Sequence, residues 1–345
     1  MPFSGTFTDP DPDLHSDIDI GLVTRNLIHR PTGIRAPLPG TALPEAEYFL
    51  IAGPVPDRRP FALGGPGTLH DSHVFVQVAQ QVGVFIANHY FQVPADRPGV
   101  LYKVDLGAPH RAERGGPGDM DLMGLGDRAQ MSMDICARPR HTVNQVPRGL
   151  RFEANLHIDG AESCVGAADL VFLTPNVHRG HRASSRLATV AALTPEQDAR
   201  ERELPHRPCE PEAVAREDPG DVLVADPHTD GDTLTSRVLV DTAHPVYYAE
   251  TSDSVPGPLQ IEALRQMALL AAAHFHGFHP LRTDLIRTTV HFRAYAENDL
   301  PLSCHATVEP LWARQGGPAA TRVALSLVQQ GRTVADATVT AARAY

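Results

Sequence analysis

An internal repeat at a constant offset of 185 residues constrains the fold of this chain more than any other feature. Residues 59–90, RPFALGGPGTLHDSHVFVQVAQQVGVFIANHY, align without a gap with residues 244–275, HPVYYAETSDSVPGPLQIEALRQMALLAAAHF. Gln81 falls on Gln266, and hydrophobic residues coincide at most of the other positions. Self-similarity at a fixed spacing is typical of two copies of one folding unit. We therefore expect two related halves.

Each copy of the repeat predicts one long helix. The run from Leu259 to Phe275 is apolar nearly all round, and Pro256 stands where the helix should begin. Proline suits a first-turn position because its missing N–H would have no intrahelical partner there. Val74 to Tyr90 has the same character, with Asp71 or Ser72 as an N-cap. Helices that are apolar on every side are buried, so we expect two central helices.

Strand-like segments surround each predicted helix. Residues 150–173 and 322–341 each show alternating apolar positions on both sides of an Asp-Gly or Gln-Gly step, which predicts a hairpin. Ahead of each helix, residues 26–30 are similar to residues 176–179, and we expect them to play equivalent roles. One antiparallel sheet around one apolar helix is a hotdog fold. The sequence therefore predicts an α+β tandem (double) hotdog.

The predicted division of the chain places an N-terminal hotdog repeat at residues 1–190 and a C-terminal repeat at residues 222–345. Residues 191–221 between them are rich in Pro, Glu and Arg and are predicted to be a linker with a short helix at 195–203. Residues 107–128 are Gly-rich and charged, which favours an exposed loop.

Composition excludes several classes of function. The net charge of −11 disfavours a nucleic-acid partner. No run approaches the roughly 20 apolar residues that cross a bilayer, and the acidic, Pro-rich start does not resemble a signal peptide. The cysteines are scattered, which disfavours a metal site and favours reduced thiols. We therefore expect a cytoplasmic protein without a metal or a membrane partner; the four cysteines are Cys136, Cys164, Cys209 and Cys304.

The segment Val255-Pro256-Gly257, followed by Glu262-Ala-Leu-Arg-Gln266, resembles the A-factor biosynthesis (AfsA-like) double-hotdog family of gamma-butyrolactone autoregulator synthases. It also resembles the helix of bacterial 3-hydroxyacyl-carrier-protein dehydratases. The resemblance covers roughly residues 20–110 and 170–300. It implies transfer of a β-ketoacyl chain from an acyl carrier protein or acyl-CoA to a small acceptor, a hydroxyl of dihydroxyacetone phosphate. The substrate would arrive on phosphopantetheine, and no other cofactor is implied.

Two departures from the family pattern concern the site. The Asp-His pair that precedes Val-Pro-Gly in the family is replaced here by Ala249-Glu250, and a later pair by Asp253-Ser254. Gln77 of the first repeat stands where the second repeat has Glu262. We therefore expect the site of the first repeat to be altered or inactive.

The predicted catalytic residues centre on Glu262. Burial on an apolar helix favours its protonated form near neutral pH, which suits a general acid or base, although an ion pair with Arg265 or another arginine is the structural alternative. Gly257 at the helix start exposes N–H groups that would polarise a thioester carbonyl. Arg265 would bind a phosphate or carboxylate, or form only a helix-face ion pair.

Two histidines and two glutamines complete the candidates on the helices. His70 and His73, at the start of the first helix, are further catalytic candidates that would act opposite Glu262, or they are solvated residues of a helix start. Gln266 and Gln77 are predicted to bind substrate, although Gln266 more often holds the hotdog loop by hydrogen bonds.

Arg287 and Arg293 lie in a strand-like run and would meet a substrate phosphate or phosphopantetheine, unless they form a solvated edge. Three functions stay open: an A-factor-type acyltransferase, a dehydratase, isomerase or cyclase acting on a carrier-bound polyketide, and a non-catalytic acyl binder. A homodimer is compatible with each of them.

Overall fold

A computed structural model of the protein describes ten segments. These segments are residues 27–30, 46–54, 72–108, 130–192, 194–196, 199, 203–244, 247–248, 252–313 and 317–343.

Thirteen strands and three longer helices make up the described part of the chain. The strands are β1 (Leu27–Arg30), β2 (Glu47–Pro54), β3 (Gly99–Gly107), β4 (Gln130–Val143), β5 (Val146–Ile158), β6 (Ala161–Phe172), β7 (His228–Asp230), β8 (Thr233–Val238), β9 (Thr283–Phe292), β10 (Leu302–Val308), β11 (Trp312–Ala313), β12 (Ala319–Gln329) and β13 (Arg332–Arg343). The helices are α1 (Ser72–Tyr90), α2 (Pro175–Ala191) and α3 (Gly257–His276). Short 3₁₀ helices cover Pro211–Val214, Pro219–Asp221 and Pro280–Arg282.

All the strands join one antiparallel sheet in the order β1-β2-β4-β5-β6-β3-β9-β13-β12-β10-β8-β7, and β11 pairs with β12. Read outwards from the central β3–β9 pair, each half runs through equivalent strands in the same order. Val104 lies opposite Val290 at this junction, and Asp105 lies opposite Thr289. The tandem hotdog prediction is confirmed, because each half is one repeat of strands around one helix.

The two predicted central helices are buried against this sheet. α1 packs on β3, β5 and β6, while α3 packs on β10, β12 and β13. Along α3 a nearly continuous run from Leu259 to Ala272 is buried, as the apolar sequence predicts. The helix ends at Gly277, whose φ of 62° is the left-handed conformation that glycine adopts without strain.

The predicted equivalence of residues 26–30 and 176–179 is wrong. Residues 27–30 form β1, whereas residues 176–179 lie in the first turns of α2. Pro175 sits at the first helical position, where its fixed φ favours a helix. A likeness over four or five residues is too short to distinguish a strand from the start of a helix.

The division into two repeats and a linker stays a prediction, but part of the proposed linker is ordered and buried. Cys209 donates its backbone N–H to Val224, and Val214 and Arg216 are buried beside α3. Of its charged residues, Arg216 is paired inside the protein, whereas Arg207 and Glu210 form an exposed pair. Residues 109–128 of the predicted loop lie outside the described residues, as do parts of the predicted helix at 195–203.

Cys164, Cys209 and Cys304 are buried and Cys136 is half-buried, and these four cysteines are not joined by disulfides. Among the helices that the structure describes, none is long and apolar enough to cross a membrane.

A pair of helical glycines tests the packing of α1. A methyl group at Gly83 would lie 2.6 Å from Leu170 and 2.9 Å from the Phe152 ring, whereas nothing lies within 4 Å of the same position at Gly180 in α2. We expect Gly83→Leu to lower the free energy of unfolding by about 2 kcal/mol or more, because the sheet must move away. Gly180→Leu should change it by about 1 kcal/mol or less. Urea unfolding measures both; equal effects would contradict this packing.

Candidate active site

The most unusual side chain in the core is Glu262, which is fully buried in the second turn of α3. Five N–H groups point at its carboxylate. Arg216 approaches Oε1 with Nε at 2.9 Å and Nη2 at 2.5 Å. Arg265 donates from Nε to Oε2 at 2.7 Å and from Nη2 to Oε1 at 2.8 Å, and Gln266 donates to Oε1 at 2.7 Å. Such a donor set stabilises the ionised carboxylate.

Arg216 comes from the ordered stretch that precedes the second repeat. The 3₁₀ helix Pro211–Val214 ends at Ala215, whose φ of 53° turns the chain so that Arg216 enters the core. Its side chain is only 2% exposed, and burial lowers the pKa of its guanidinium although Glu262 opposes the change. A buried guanidinium and a buried carboxylate each need the other, since either alone would be costly to desolvate.

Gln266 ties this cluster to the neighbouring loop. Its Oε1 accepts the backbone N–H of Leu223 at 2.8 Å, and its Nε2 donates to the Asp221 carbonyl at 2.7 Å as well as to Glu262. Both ends of the amide are therefore used to hold residues 221–223 against α3. In the structure Gln266 has the loop-holding position that the sequence suggests.

Asp221 lies at the edge of the cluster, where its side chain is 25% exposed. Burial raises the pKa of its carboxyl to about 6, and the charge of Arg216 limits the rise. His244 Nε2 lies 3.8 Å from Asp221 Oδ1, and burial lowers the pKa of His244. The Tyr247 ring packs 4.7 Å from the His244 ring, and burial raises the pKa of Tyr247 well above its ordinary value.

Gly257 begins α3 at the junction of the two halves. A methyl group there would lie 3.5 Å from Phe292 of β9 and 3.7 Å from Leu101 of β3, so the helix start faces both central strands. The first turn of a helix carries N–H groups without intrahelical partners and a partial positive charge. Glu262 lies five residues further along the same helix, at a rise of about 7.5 Å from Gly257.

A second buried carboxylate, Glu297, holds the loop that leads into α3. Arg182 of α2 donates to it at 2.7 Å and to the Asp253 carbonyl at 2.8 Å, and Arg186 adds a bond to Glu297 at 3.0 Å. The backbone N–H of Val255 donates to Ala296 at 2.8 Å. The helix that follows the first repeat thus fixes the entry to α3 in the second.

Four of the predicted site residues come together on α3. Glu262, Arg265 and Gln266 share one hydrogen-bonded cluster, and Gly257 begins the same helix. His70 lies outside the described residues. His73 and Gln77 fall in α1, and the structure does not describe their side chains.

The two arginines predicted to bind phosphate do not join this site. Arg287 forms a bond of 2.7 Å with Asp105, and Arg293 bonds to Asp336. The strand neighbours of these aspartates, including Val104, are buried on the face that carries the helices. Side chains alternate along a strand, so Arg287 and the two aspartates point away from the buried face of the sheet, and Arg293 meets Asp336 on that outer side.

Sequence reasoning missed Arg216, Asp221, the position of His244 at the cluster and the Arg182–Glu297 pair. The one available signal was the charge of Glu262 itself, because a carboxylate inside an apolar helix requires a partner. Among the residues that the structure describes, no group of three or more His, Cys, Asp or Glu could hold a metal ion.

The sequence of this chain is similar to a known family model and to three curated proteins. Residues 197–343 match the model of AfsA, the A-factor biosynthesis hotdog domain. The chain is 26% identical over 315 residues to a 2-oxo-3-(phosphooxy)propyl 3-oxoalkanoate synthase of Streptomyces coelicolor, covering 89% of this chain and 88% of the relative. It is 26% identical over 302 residues to the synthase of that name from Streptomyces virginiae, covering 87% and 92%.

Among solved structures, a 12:0-ACP thioesterase from Umbellularia californica is similar at 11% identity and a TM-score of 0.41. The match covers 85% of this chain and 93% of that one.

The Glu262–Arg216 pair generates a stability prediction. Glu262→Gln should lower the free energy of unfolding by about 3 kcal/mol or more, because Arg216 loses its buried counter-charge. Combining it with Arg216→Met should restore part of the loss, with a coupling of about 1 kcal/mol or more in a double-mutant cycle. Glu309→Gln, which breaks an exposed pair with Arg322, should cost less than about 1 kcal/mol. Additive losses in chemical denaturation would contradict the pairing.

Asp221 generates a prediction about pH. A folded-state pKa of about 6, against an ordinary 3.8, means that this group stabilises the fold below pH 4 and loses that contribution as pH rises through 6. The free energy of unfolding of Asp221→Asn, relative to that of the wild type, should therefore rise by about 1–2 kcal/mol between pH 4 and pH 8. Denaturant unfolding across this range measures the difference; a constant offset would show that Asp221 is not shifted.

Proposed function

We propose that this protein, whose residues 197–343 match the model of the A-factor biosynthesis hotdog domain, transfers a 3-oxoacyl chain from a carrier thioester to the hydroxyl of a phosphorylated three-carbon acceptor. The observation that carries the proposal is that α3 presents its N-terminus at Gly257 and a buried charged cluster around Glu262 on the same helix. The product named for the Streptomyces relatives is an ester of this type.

The reaction forms one C–O bond and breaks one C–S bond. The acceptor hydroxyl loses its proton and attacks the thioester carbonyl, and the thiolate of the carrier leaves and takes up a proton. Negative charge develops on the carbonyl oxygen in between. Backbone N–H groups at the start of α3 would stabilise that charge, and Phe292 and Leu101 form the apolar surface beside Gly257.

Arg265 is the residue that we assign to the acceptor phosphate. Its side chain is 12% exposed, against 2% for Arg216, so it is the arginine of the cluster that a substrate can reach. Glu262 and the Val214 carbonyl, at 3.1 Å, hold the guanidinium in one orientation. A fixed guanidinium binds phosphate with both charge and geometry.

The test supplies the full chain with a 3-oxoacyl carrier-protein thioester and dihydroxyacetone phosphate, and follows the ester by mass spectrometry. We expect ester formation by the wild type. Arg265→Met should raise the KM for the phosphorylated acceptor about tenfold or more, since a charge-assisted contact to the phosphate is lost, with little change in the KM for the thioester.

Arg322→Met, on the exposed end of β12, is the matched control and should behave as the wild type. Equal use of dihydroxyacetone with and without its phosphate would contradict the role of Arg265. Conversion of a 3-hydroxyacyl thioester to the enoyl product, without ester, would place the protein among the dehydratases and overturn the proposal.

A further inference from the structure

We propose that Asp221, and not Glu262, is the general base that takes the proton from the acceptor hydroxyl, and that Glu262 is a positioning residue. This inference rests on the proposed acyl transfer. It assigns the proton-transfer step to a residue that the sequence motif does not contain, one that the fold brings to α3 from the preceding segment.

Glu262 is poorly placed to exchange protons with a substrate. Its side chain is fully buried. Oε1 accepts bonds from Arg216, Arg265 and Gln266, and Oε2 accepts a bond from Arg265. A substrate hydroxyl would have to displace at least one of these charge-assisted bonds before it could reach the carboxylate. The same contacts suit a residue that fixes the direction of Arg216 and Arg265.

Asp221 has the opposite combination of a fixed backbone and an accessible carboxylate. Its backbone N–H donates to the backbone carbonyl of Asp218 at 3.0 Å, at the end of the 3₁₀ helix. Its backbone carbonyl accepts a hydrogen bond from the Gln266 side chain. Its side chain is a quarter exposed, and His244 Nε2 lies 3.8 Å from Oδ1, which is beyond a hydrogen bond. The carboxylate therefore keeps room for a hydroxyl.

The charges around Asp221 tune it for this task. Burial is the largest influence and raises its pKa to about 6, Arg216 lowers it, and the carboxylates of Asp218 and Glu262 raise it. His244 faces it as the fourth titratable group, and burial holds the pKa of that imidazole below its ordinary value. At neutral pH Asp221 is thus mostly ionised, yet a stronger base than an exposed aspartate.

The proton balance of the step closes without any further reactant. The ionised Asp221 accepts the hydroxyl proton as the oxygen attacks the thioester carbonyl. When the C–S bond breaks, the protonated Asp221 returns that proton to the departing thiolate. The residue ends the cycle ionised, as it began.

The experiment compares pH–rate profiles of Asp221→Asn, Glu262→Gln and the wild type. We expect Asp221→Asn to lower kcat by about 10²-fold or more, with the KM of the thioester within about twofold, and to remove the acidic limb of kcat/KM near pH 6. Glu262→Gln should retain that limb, since it acts through other residues.

Asp226→Asn, on an exposed aspartate of the same segment, is the matched control and should leave the profile unchanged. An Asp221→Asn protein within threefold of wild-type kcat, or one that keeps the acidic limb, would overturn the assignment.

A second readout separates this inference from the acyl-transfer proposal. Carbon-13 NMR of protein labelled at the aspartate carboxyls should show one carboxyl that titrates near pH 6 in the wild type and is missing from Asp221→Asn. Failure of the wild type to form ester would overturn the proposed reaction. The NMR titration would still test the pKa of the Asp221 carboxyl. The absence of any aspartate titrating above pH 5 would overturn the role of Asp221 whatever the reaction.

Discussion

Burying the carboxylate of Glu262 inside an apolar helix is the constraint on which the second half of the molecule depends. A charge without partners at that depth would destabilise the fold, so the chain must bring cations to it. Arg265 comes from the next turn of α3, but Arg216 must come from outside the helix. The stretch around residues 209–225 therefore packs against α3 and is not a solvent-exposed linker. It also places Asp221 beside the Glu262 cluster.

The two repeats share their sheet but differ in this charge. Strand order is the same in both halves when read from the β3–β9 junction, which gives each central helix an equivalent concave surface. The sequence places Gln77 at the first-repeat counterpart of Glu262, and an amide cannot ionise. Of these two equivalent helix positions, only residue 262 is therefore ionisable. The Arg182–Glu297 pair lets the helix that follows the first repeat hold the loop ahead of α3.

The fold was predictable because its signals are local and repeated. The apolar runs of α1 and α3 and the alternation in β5, β6, β12 and β13 each follow from a few neighbouring residues. The site was predictable only along α3, where Gly257, Glu262, Arg265 and Gln266 share one helix. Arg216 lies 46 residues before Glu262, and no periodicity joins them. Arg287 was wrongly predicted to lie at the site, because the sequence of a strand alone does not show which face of the sheet packs against the helices.

We propose that acyl transfer takes place between the start of α3 and Asp221, while Glu262 remains enclosed by its arginines. A crystal structure of the protein with the ester product bound tests it most directly. We expect the ester carbonyl at the backbone N–H groups near Gly257, the ester oxygen within hydrogen-bond reach of Asp221, at about 3 Å, and an intact Glu262–Arg216 pair. A product in contact with the Glu262 carboxylate, or bound away from α3, would contradict it.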